Sequence, residues 1–314
     1  MRGVMAVAVL AGPGLSACAP QDGAVGPDIA AASCLPDGLE TRTGIPAGSY
    51  RIGGPVRYPE ERPERSVATA GFHIDVHETT NAQFARFVAE TGYVTVAERA
   101  PDPADHPDID PDLLVPGSAV FGVASGGYWW RFIPGASWRT PYGPGSGIDG
   151  LDDYPVVHVA YADAQAYAEW AGADLPSEDE WEIAARGGTA GTDYAWGEEF
   201  RPDGQWRANT WQGPFPAIDT GADGFAGLAP VGCYPANPFG AYDMIGNVWE
   251  WTASPFDASG RSGTVRGGSF LCASSFCARF RPAARQPQEW DFSASHIGFR
   301  TIRREQAIAA PGTD

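Results

Sequence analysis

Apolar positions recur at helical spacing in three stretches of the chain. Thr80 opens the first, where Phe84, Phe87 and Val88 fall at i, i+3 and i+4 before Gly92 stops the pattern. Asp163 caps the second, whose Tyr167 and Trp170 share a face ahead of Gly172. The third starts at Ser177-Glu178-Asp179-Glu180, a capping box with serine at the N-cap and glutamate at N3. It carries Trp181, Ala184 and Ala185 on its apolar stripe and ends at Gly187-Gly188. Elsewhere the alternation is short. Residues 45–53 read as a strand entered from a turn, 67–76 as a second strand and 155–159 as a short buried strand. Residues 100–127 read as loop around an apolar insert at 115–123, too long for a bare connection and therefore functional or mobile. Beyond residue 190 the pattern predicts no helix, only short strands, turns and aromatics, with a frayed tail over 304–314. The fold class is α+β: a single complex domain rich in irregular structure, with few short helices and short antiparallel strands.

Composition agrees with this picture. Gly 40 and Pro 28 supply many turns, and 43% hydrophobic with 12% aromatic residues is enough for a folded core. A net charge of 21 − 39 = −18 argues against nucleic acid or an anionic membrane surface as a partner. All 21 basic residues are arginine, which reads as a GC-rich genome rather than a functional choice. Walker, G-x-G-x-x-G, H-E-x-x-H and nucleophile-elbow motifs are absent.

The start of the chain has its own signature. Arg2 forms a short basic region, an apolar run follows from Val4 to Leu10, and Leu15-Ser16-Ala17-Cys18 resembles a bacterial lipoprotein signal. Residues 1–18 are thus expected to be a signal peptide with a lipobox, Cys18 a lipid anchor, 19–40 a tether, and 41–303 the folded domain. The protein is expected to be exported to the periplasm or cell envelope. An ordinary signal peptide, or a cytoplasmic protein with a misassigned start, is the alternative. No other run reaches the roughly 18 apolar residues of a membrane span.

The densest chemistry lies between Val265 and Arg285, which hold Gly267-Gly268, Ser269, Cys272, Cys277, Arg279 and Arg281. Thiols five positions apart point to opposite faces of a strand and lie far round a helix. For them to converge the backbone must bend. Converging thiols make a disulfide, a metal site or a redox site. Composition and export alone favour the disulfide. The five histidines have no metal-ligand spacing, and His158, in an apolar stretch, reads as a satisfied core residue.

Four segments read together add a resemblance. They are Leu175 to Gly188 with its Trp181-Glu182, Ala208-Asn209-Thr210-Trp211-Gln212-Gly213, Asp243 to Thr252 with Gly246-Asn247-Val248-Trp249-Glu250-Trp251, and Gly267-Gly268-Ser269 through Cys272 and Cys277 to Gly298-Phe299-Arg300. Over residues 45–303 the chain resembles the formylglycine-generating enzyme (sulfatase-modifying factor) family, bacterial type. The Trp-Glu-Trp and Gly-Phe-Arg elements mark only the superfamily fold, related to C-type lectins. The Cys-x4-Cys pair after Gly-Gly-Ser is the more specific sign.

The resemblance implies an O2-dependent oxidoreductase that converts the cysteine of a Cys-x-Pro-x-Arg motif in an unfolded sulfatase to Cα-formylglycine. It implies copper(I) held by Cys272 and Cys277, with Ser269 and Trp249 lining an oxygen pocket. It implies calcium at Asn209, Thr210, Asp223 and Phe225, and again at Asp243, Gly246, Val248 and Glu250, with turn chemistry at Asp223-Gly224 as the plainer reading. Family members with structural disulfides carry cysteines at positions matching Ala168, Thr301, Ala185 and Pro282, so both partners of each bridge are missing here. Cys34 and Cys233 remain as free thiols or as partners. Trp138 and Arg279 are candidate substrate contacts, with the 100–127 loop as a groove wall and the acidic 102–112 stretch as a carboxylate source. Arg279, Arg281 and Arg285 read otherwise as structural partners of the acidic excess. Ala273-Ser274 departs from the family's residues between the thiols, which puts local substrate contacts in question. A monomer is expected. The rival readings are a non-haem-iron sulfoxide synthase and a binding module without chemistry.

Overall fold

A computed structural model of the protein describes residues 34–36, 41–104, 107–108, 110–122 and 130–304. The expected signal peptide, all but three residues of the expected tether, and the tail from 305 onward lie outside the described residues. The elements run β1 (Arg42–Ile45), β2 (Gly48–Ile52), β3 (Arg65–Thr69), β4 (Phe72–Asp75), α1 (Asn81–Thr91), β5 (Gly117–Phe121), β6 (Trp130–Pro134), α2 (Tyr161–Trp170), α3 (Glu178–Arg186), β7 (Trp249–Pro255), β8 (Ser262–Arg266), β9 (Arg285–Glu289), β10 (Ile297–Gly298) and β11 (Ile302–Arg304). They form sheets β1-β4-β11 and β10-β7-β8-β9 and the hairpins β2-β3 and β5-β6. Pairing is antiparallel except for β10 on β7.

α1 and α3 begin and end where the pattern puts them, whereas α2 starts at Tyr161, ahead of the Asp163 read as its cap. Thr80 and Ser177 each accept an N3 backbone N–H, with Gln83 and Glu180 reaching back to complete the boxes. Gly92 and Gly187 close α1 and α3 in the left-handed conformation. At α2 the N-cap is Ala160 and Asp163 stands at N3, where its Oδ2 accepts the Ala160 N–H at 2.8 Å. Asp163 thus serves the helix start from inside it.

Aromatic residues at helical spacing converge in one core. Phe84 and Phe87 of α1 meet Tyr167 of α2, and Phe84 also meets Trp138 and Phe299. A second core surrounds Trp181 of α3 with Ile45, Phe72, Ile74 and Ile302. Trp181 donates its ring N–H to Glu250 Oε2 at 2.7 Å, which satisfies the polar edge of a fully buried ring. Arg266, Arg281 and Arg300 are also fully buried, each against carboxylates: Arg266 with Glu182, Arg281 with Glu61 and Arg300 with Glu250. Removing one partner of such a pair strands a charge and costs about 3–5 kcal/mol.

Several expectations are corrected. Residues 67–76 are two strands, because Gly71 turns the chain at φ +91 with Ala47 N only 3.0 Å from where a Cβ would sit. Residues 155–159 form no strand: His158 has φ 61, outside the extended region. The insert at 115–123 contains β5, so part of the supposed loop is a strand paired to β6. Arg304 belongs to β11 and pairs with Asp174 and Glu180. Beyond residue 190 the described residues hold one short 3-10 turn, Pro202–Gly204, and no α-helix. Cys34 and Cys233 are bonded to each other, which packs Leu35 against Gly232.

Candidate active site

The segment after β8 bends at once. Gly267 and Gly268 have φ +95 and +78, and a Cβ on either would stand 3.0–3.2 Å from Met244 O, Trp181 or Phe280. Two tight turns follow, with Cys272 N donating to Ser269 O and Cys277 N to Ala273 O, each at 2.9 Å. The turns bring Cys272 Sγ and Cys277 Sγ to 3.4 Å, close but unbonded. The convergence that the spacing demands is therefore present, and the two thiols are free rather than joined as a disulfide.

The two thiols differ. Cys272 is 2% exposed and packs in the aromatic core that also holds Trp249. Ser269 is buried beside it and donates its backbone N–H to Cys272 Sγ at 3.4 Å. Cys277 is half-buried. Arg279 Nη1 approaches it at 3.7 Å, while Glu60 accepts from Arg279 Nε at 2.6 Å and the Tyr58 ring lies 4.0 Å under the guanidinium. The hydrogen bond from Cys272 and then Arg279 pull the Cys277 thiol below its ordinary range. The same bond and burial push Cys272 up. The pair thus keeps one proton between the sulfurs and leaves the negative charge on the accessible one.

Glu60 and Tyr58 were missed in the sequence. They stand about 220 residues from Arg279, and nothing local in the Tyr58-Pro59-Glu60-Glu61 stretch marks them. Arg281 and Arg285 are structural as read, paired with Glu61 and Glu178.

Which ions would these groups suit? Among the described residues no three His, Cys, Asp or Glu side chains are arranged to hold a metal. Two sulfurs alone suit a soft ion that accepts low coordination. Asn209, Thr210, Asp223 and Phe225 do come together: Asp223 accepts the backbone N–H groups of Thr210 and Phe225. Asn209 Oδ1 is buried without a hydrogen-bond partner, and burial raises Asp223. A buried oxygen without a partner, one residue from the Thr210 backbone that Asp223 holds, fits a hard cation. The second set fits less well. Glu250 already gives both oxygens to Arg300 and Trp181. Burial raises Asp243 to about 6, and Glu78, which the sequence did not suggest, is fully buried nearby with Oε2 lacking a hydrogen-bond partner.

A cavity of about 670 Å³ opens between the β5-β6 hairpin, the start of the acidic loop and the residues after β9. Asp102, Glu289 and Asp291 line it with Trp130, Ser118 and Ser293, as do Arg99 and Arg131. Phe121, at the end of β5, links this wall to the thiol segment. It packs on Trp130, Trp211 and Phe215; Trp211 N donates to Cys272 O at 3.0 Å, and Phe215 stacks on Phe276. Trp138 is not a wall: it is 1% exposed in the core, against Phe84. His296, 4.6 Å from the Trp130 ring, has a buried Nδ1 without a hydrogen-bond partner.

Comparison with known proteins shows what the chain as a whole is similar to. The sulfatase-modifying factor enzyme 1-like domain matches residues 36–305. The formylglycine-generating enzyme of Mycobacterium tuberculosis is 48% identical over 287 residues, covering 82% of this chain and 96% of its own. The mouse protein of that name is 40% identical, covering 82% and 73%. The mouse inactive Cα-formylglycine-generating enzyme 2 is 41% identical, covering 82% and 83%. Among solved structures, PvdO from Pseudomonas aeruginosa aligns with TM-score 0.60 and 25% identity over 84% of this chain and 94% of that one. The chain therefore belongs to the formylglycine-generating enzyme (sulfatase-modifying factor) family.

Proposed function

We propose that this protein oxidises the cysteine of a Cys-x-Pro-x-Arg motif in unfolded sulfatases to Cα-formylglycine, using O2 and copper(I) held by Cys272 and Cys277. The observation that carries the reading is the unbonded thiol pair, 3.4 Å apart, with one sulfur buried and the other beside Arg279. Bound copper would supply a soft site for a substrate thiolate and one-electron access to O2. The chain's own groups do the rest. Arg279 favours the ionised form of Cys277, and the aromatic core around Cys272 and Trp249 keeps water out. Ser269 and Trp249 border the place for O2. In net terms the substrate thiol loses two hydrogens, which O2 takes up. Water then hydrolyses the thioaldehyde and the sulfur leaves as sulfide.

The cavity suits an extended peptide. Asp102, Glu289 and Asp291 would receive the motif's arginine, and the Trp130 ring offers an apolar face to its proline. The carboxylate source is the start of the acidic loop rather than its middle. Calcium at Asn209, Thr210, Asp223 and Phe225 would be structural; the second set, with Asp243, Gly246, Val248 and Glu250, is the weaker candidate. Export to the periplasm or cell envelope is supported by the Cys34–Cys233 bond, since disulfides persist in oxidising compartments.

A second reading has one observation behind it. A relative named inactive is 41% identical, so the fold can serve without the chemistry. Cys277→Ala separates the two: it abolishes peptide oxidation in an oxidase, whereas a binding module keeps its full function without the thiol.

A further inference from the structure

The cavity has a polar back wall that the thiol chemistry does not use. Ser118 Oγ stands 2.7 Å from Ser293 Oγ and 2.8 Å from His158 Nδ1, and His158 Nε2 stands 2.9 Å from Pro141 O. His158, Ser118 and Ser293 are 0%, 2% and 7% exposed, and both serines line the cavity. Backbone bonds hold the three in place. His158 N donates to Ala294 O at 3.0 Å, Ala119 N to Ser293 O at 3.2 Å and Ser295 N to Ala119 O at 2.9 Å.

Donor and acceptor chemistry fixes the direction of this chain. A carbonyl oxygen only accepts, so the proton of a neutral His158 must sit on Nε2. Nδ1 is then a bare lone pair and accepts the Ser118 hydroxyl. Ser118 has given its hydrogen away, so the bond between the serines must be donated by Ser293. Ser293 is left with lone pairs only. A protonated His158 would keep its bond to Pro141 O but reverse both hydroxyl bonds and free a hydrogen at Ser293. Burial opposes that state, holding His158 down at about 4.

We infer that His158, Ser118 and Ser293 form a one-way hydrogen-bond relay that fixes Ser293 as an acceptor for the arginine guanidinium of the bound peptide. This rests on the peptide reading of the cavity given above. His158 and Ser118 are positioning residues, and Ser293 is the contact. Asp102, Glu289 and Asp291 in the same lining are acceptors too, so the relay gives the hydroxyl the polarity of these carboxylates rather than that of the cationic Arg99 and Arg131. A rotor free to point its hydrogen at the guanidinium would oppose the carboxylates. Ser118 is not a nucleophile: its hydrogen goes to His158, its oxygen accepts from Ser293, and it is almost wholly enclosed.

Peptide affinity, measured by fluorescence anisotropy on metal-free reduced protein, tests the relay apart from turnover. Two labelled peptides are compared: a Ser-x-Pro-x-Arg peptide, whose serine replaces the reacting cysteine, and its norleucine counterpart at the arginine. Wild type binds the arginine peptide more tightly. Ser293→Ala loses roughly tenfold on that peptide and nothing on the norleucine one, as removal of a hydrogen bond to a charged group predicts. Ser118→Ala loses part of that, again on the arginine peptide alone, and adds no loss in the Ser293→Ala background. Additive losses, equal losses on both peptides, or an unchanged Ser293→Ala protein overturn the relay. If Ser118→Ala does not fold, the two-peptide comparison on Ser293→Ala decides alone. A wild type that binds neither peptide, or binds both alike, overturns the peptide reading and the relay with it. Discrimination by wild type with Ser293→Ala unaffected overturns the relay only.

Discussion

Arg279 holds a guanidinium nitrogen 3.7 Å from Cys277 Sγ, and Glu60 fixes the other edge of the same group. The thiolate form of Cys277 is therefore stabilised by a charge that cannot swing away. In metal-free reduced protein, iodoacetamide should modify Cys277 before the enclosed Cys272. Arg279→Gln, if one charge contact is worth roughly one pKa unit, should slow that first modification about tenfold near pH 5, below the Cys277 value of about 6, and only about twofold at pH 7. Peptide mapping against time reads both. Equal rates for the two cysteines, or no effect of the substitution, would contradict the assignment.

The Cys34–Cys233 bond joins positions 199 apart in sequence. Opening so long a loop frees much of the unfolded chain, so Cys34→Ser should lower stability by about 2–4 kcal/mol. Reductant should bring wild type to the same denaturation midpoint. A variant as stable as wild type under oxidising conditions would show that the bond ties down nothing beyond its own neighbours.

Asn209 Oδ1 and Asp223 describe a place short of positive charge. Calcium at a hundred times its dissociation constant should add about 3 kcal/mol to stability, and chelator should remove it. Asp223→Asn should abolish most of the difference between the calcium and chelator melts. An unchanged difference would move the ion elsewhere, with the Asp243 and Glu78 region next to be tested.

His158 and His296 are depressed to about 4 and about 3, chiefly by burial. Between those values and the unfolded value near 6.5, the unfolded chain binds more protons than the folded one. Their stabilisation is complete above about pH 6.5 and is lost as pH falls toward 4, by about 3 kcal/mol for His158. Asp243, raised by burial to about 6, works the other way. The informative quantity is therefore the difference between wild type and His158→Asn, which keeps a residue tolerant of positive φ. That difference should shrink as pH falls from 6.5 to 4. A constant difference would mean that His158 is not held neutral by the fold.

Local chemistry made much of this legible in the sequence. The box at Ser177 and Glu180 needs four residues and nothing else, and the bend between Cys272 and Cys277 follows from their spacing and the two glycines. Long-range partners could not be read. Glu60 meets Arg279, and Ser293 meets Ser118, through a fold whose strands are short and whose order in the sheets does not follow the chain. His158 looked like a strand residue because its neighbours are apolar, yet apolar runs also occur in buried turns. Trp138 reads in the sequence as a candidate substrate contact, but its ring is packed against Phe84 in the core.

The central claim is that the paired thiols of Cys272 and Cys277 oxidise a peptide cysteine. Copper-loaded protein, given a Cys-x-Pro-x-Arg peptide under air, is assayed by mass spectrometry of the peptide. The account predicts a product in which SH and one hydrogen have been replaced by a carbonyl oxygen, trapped by a hydrazide, absent without O2 and absent with Cys272→Ala or Cys277→Ala. An unchanged peptide, or the same product from both variants, would contradict it.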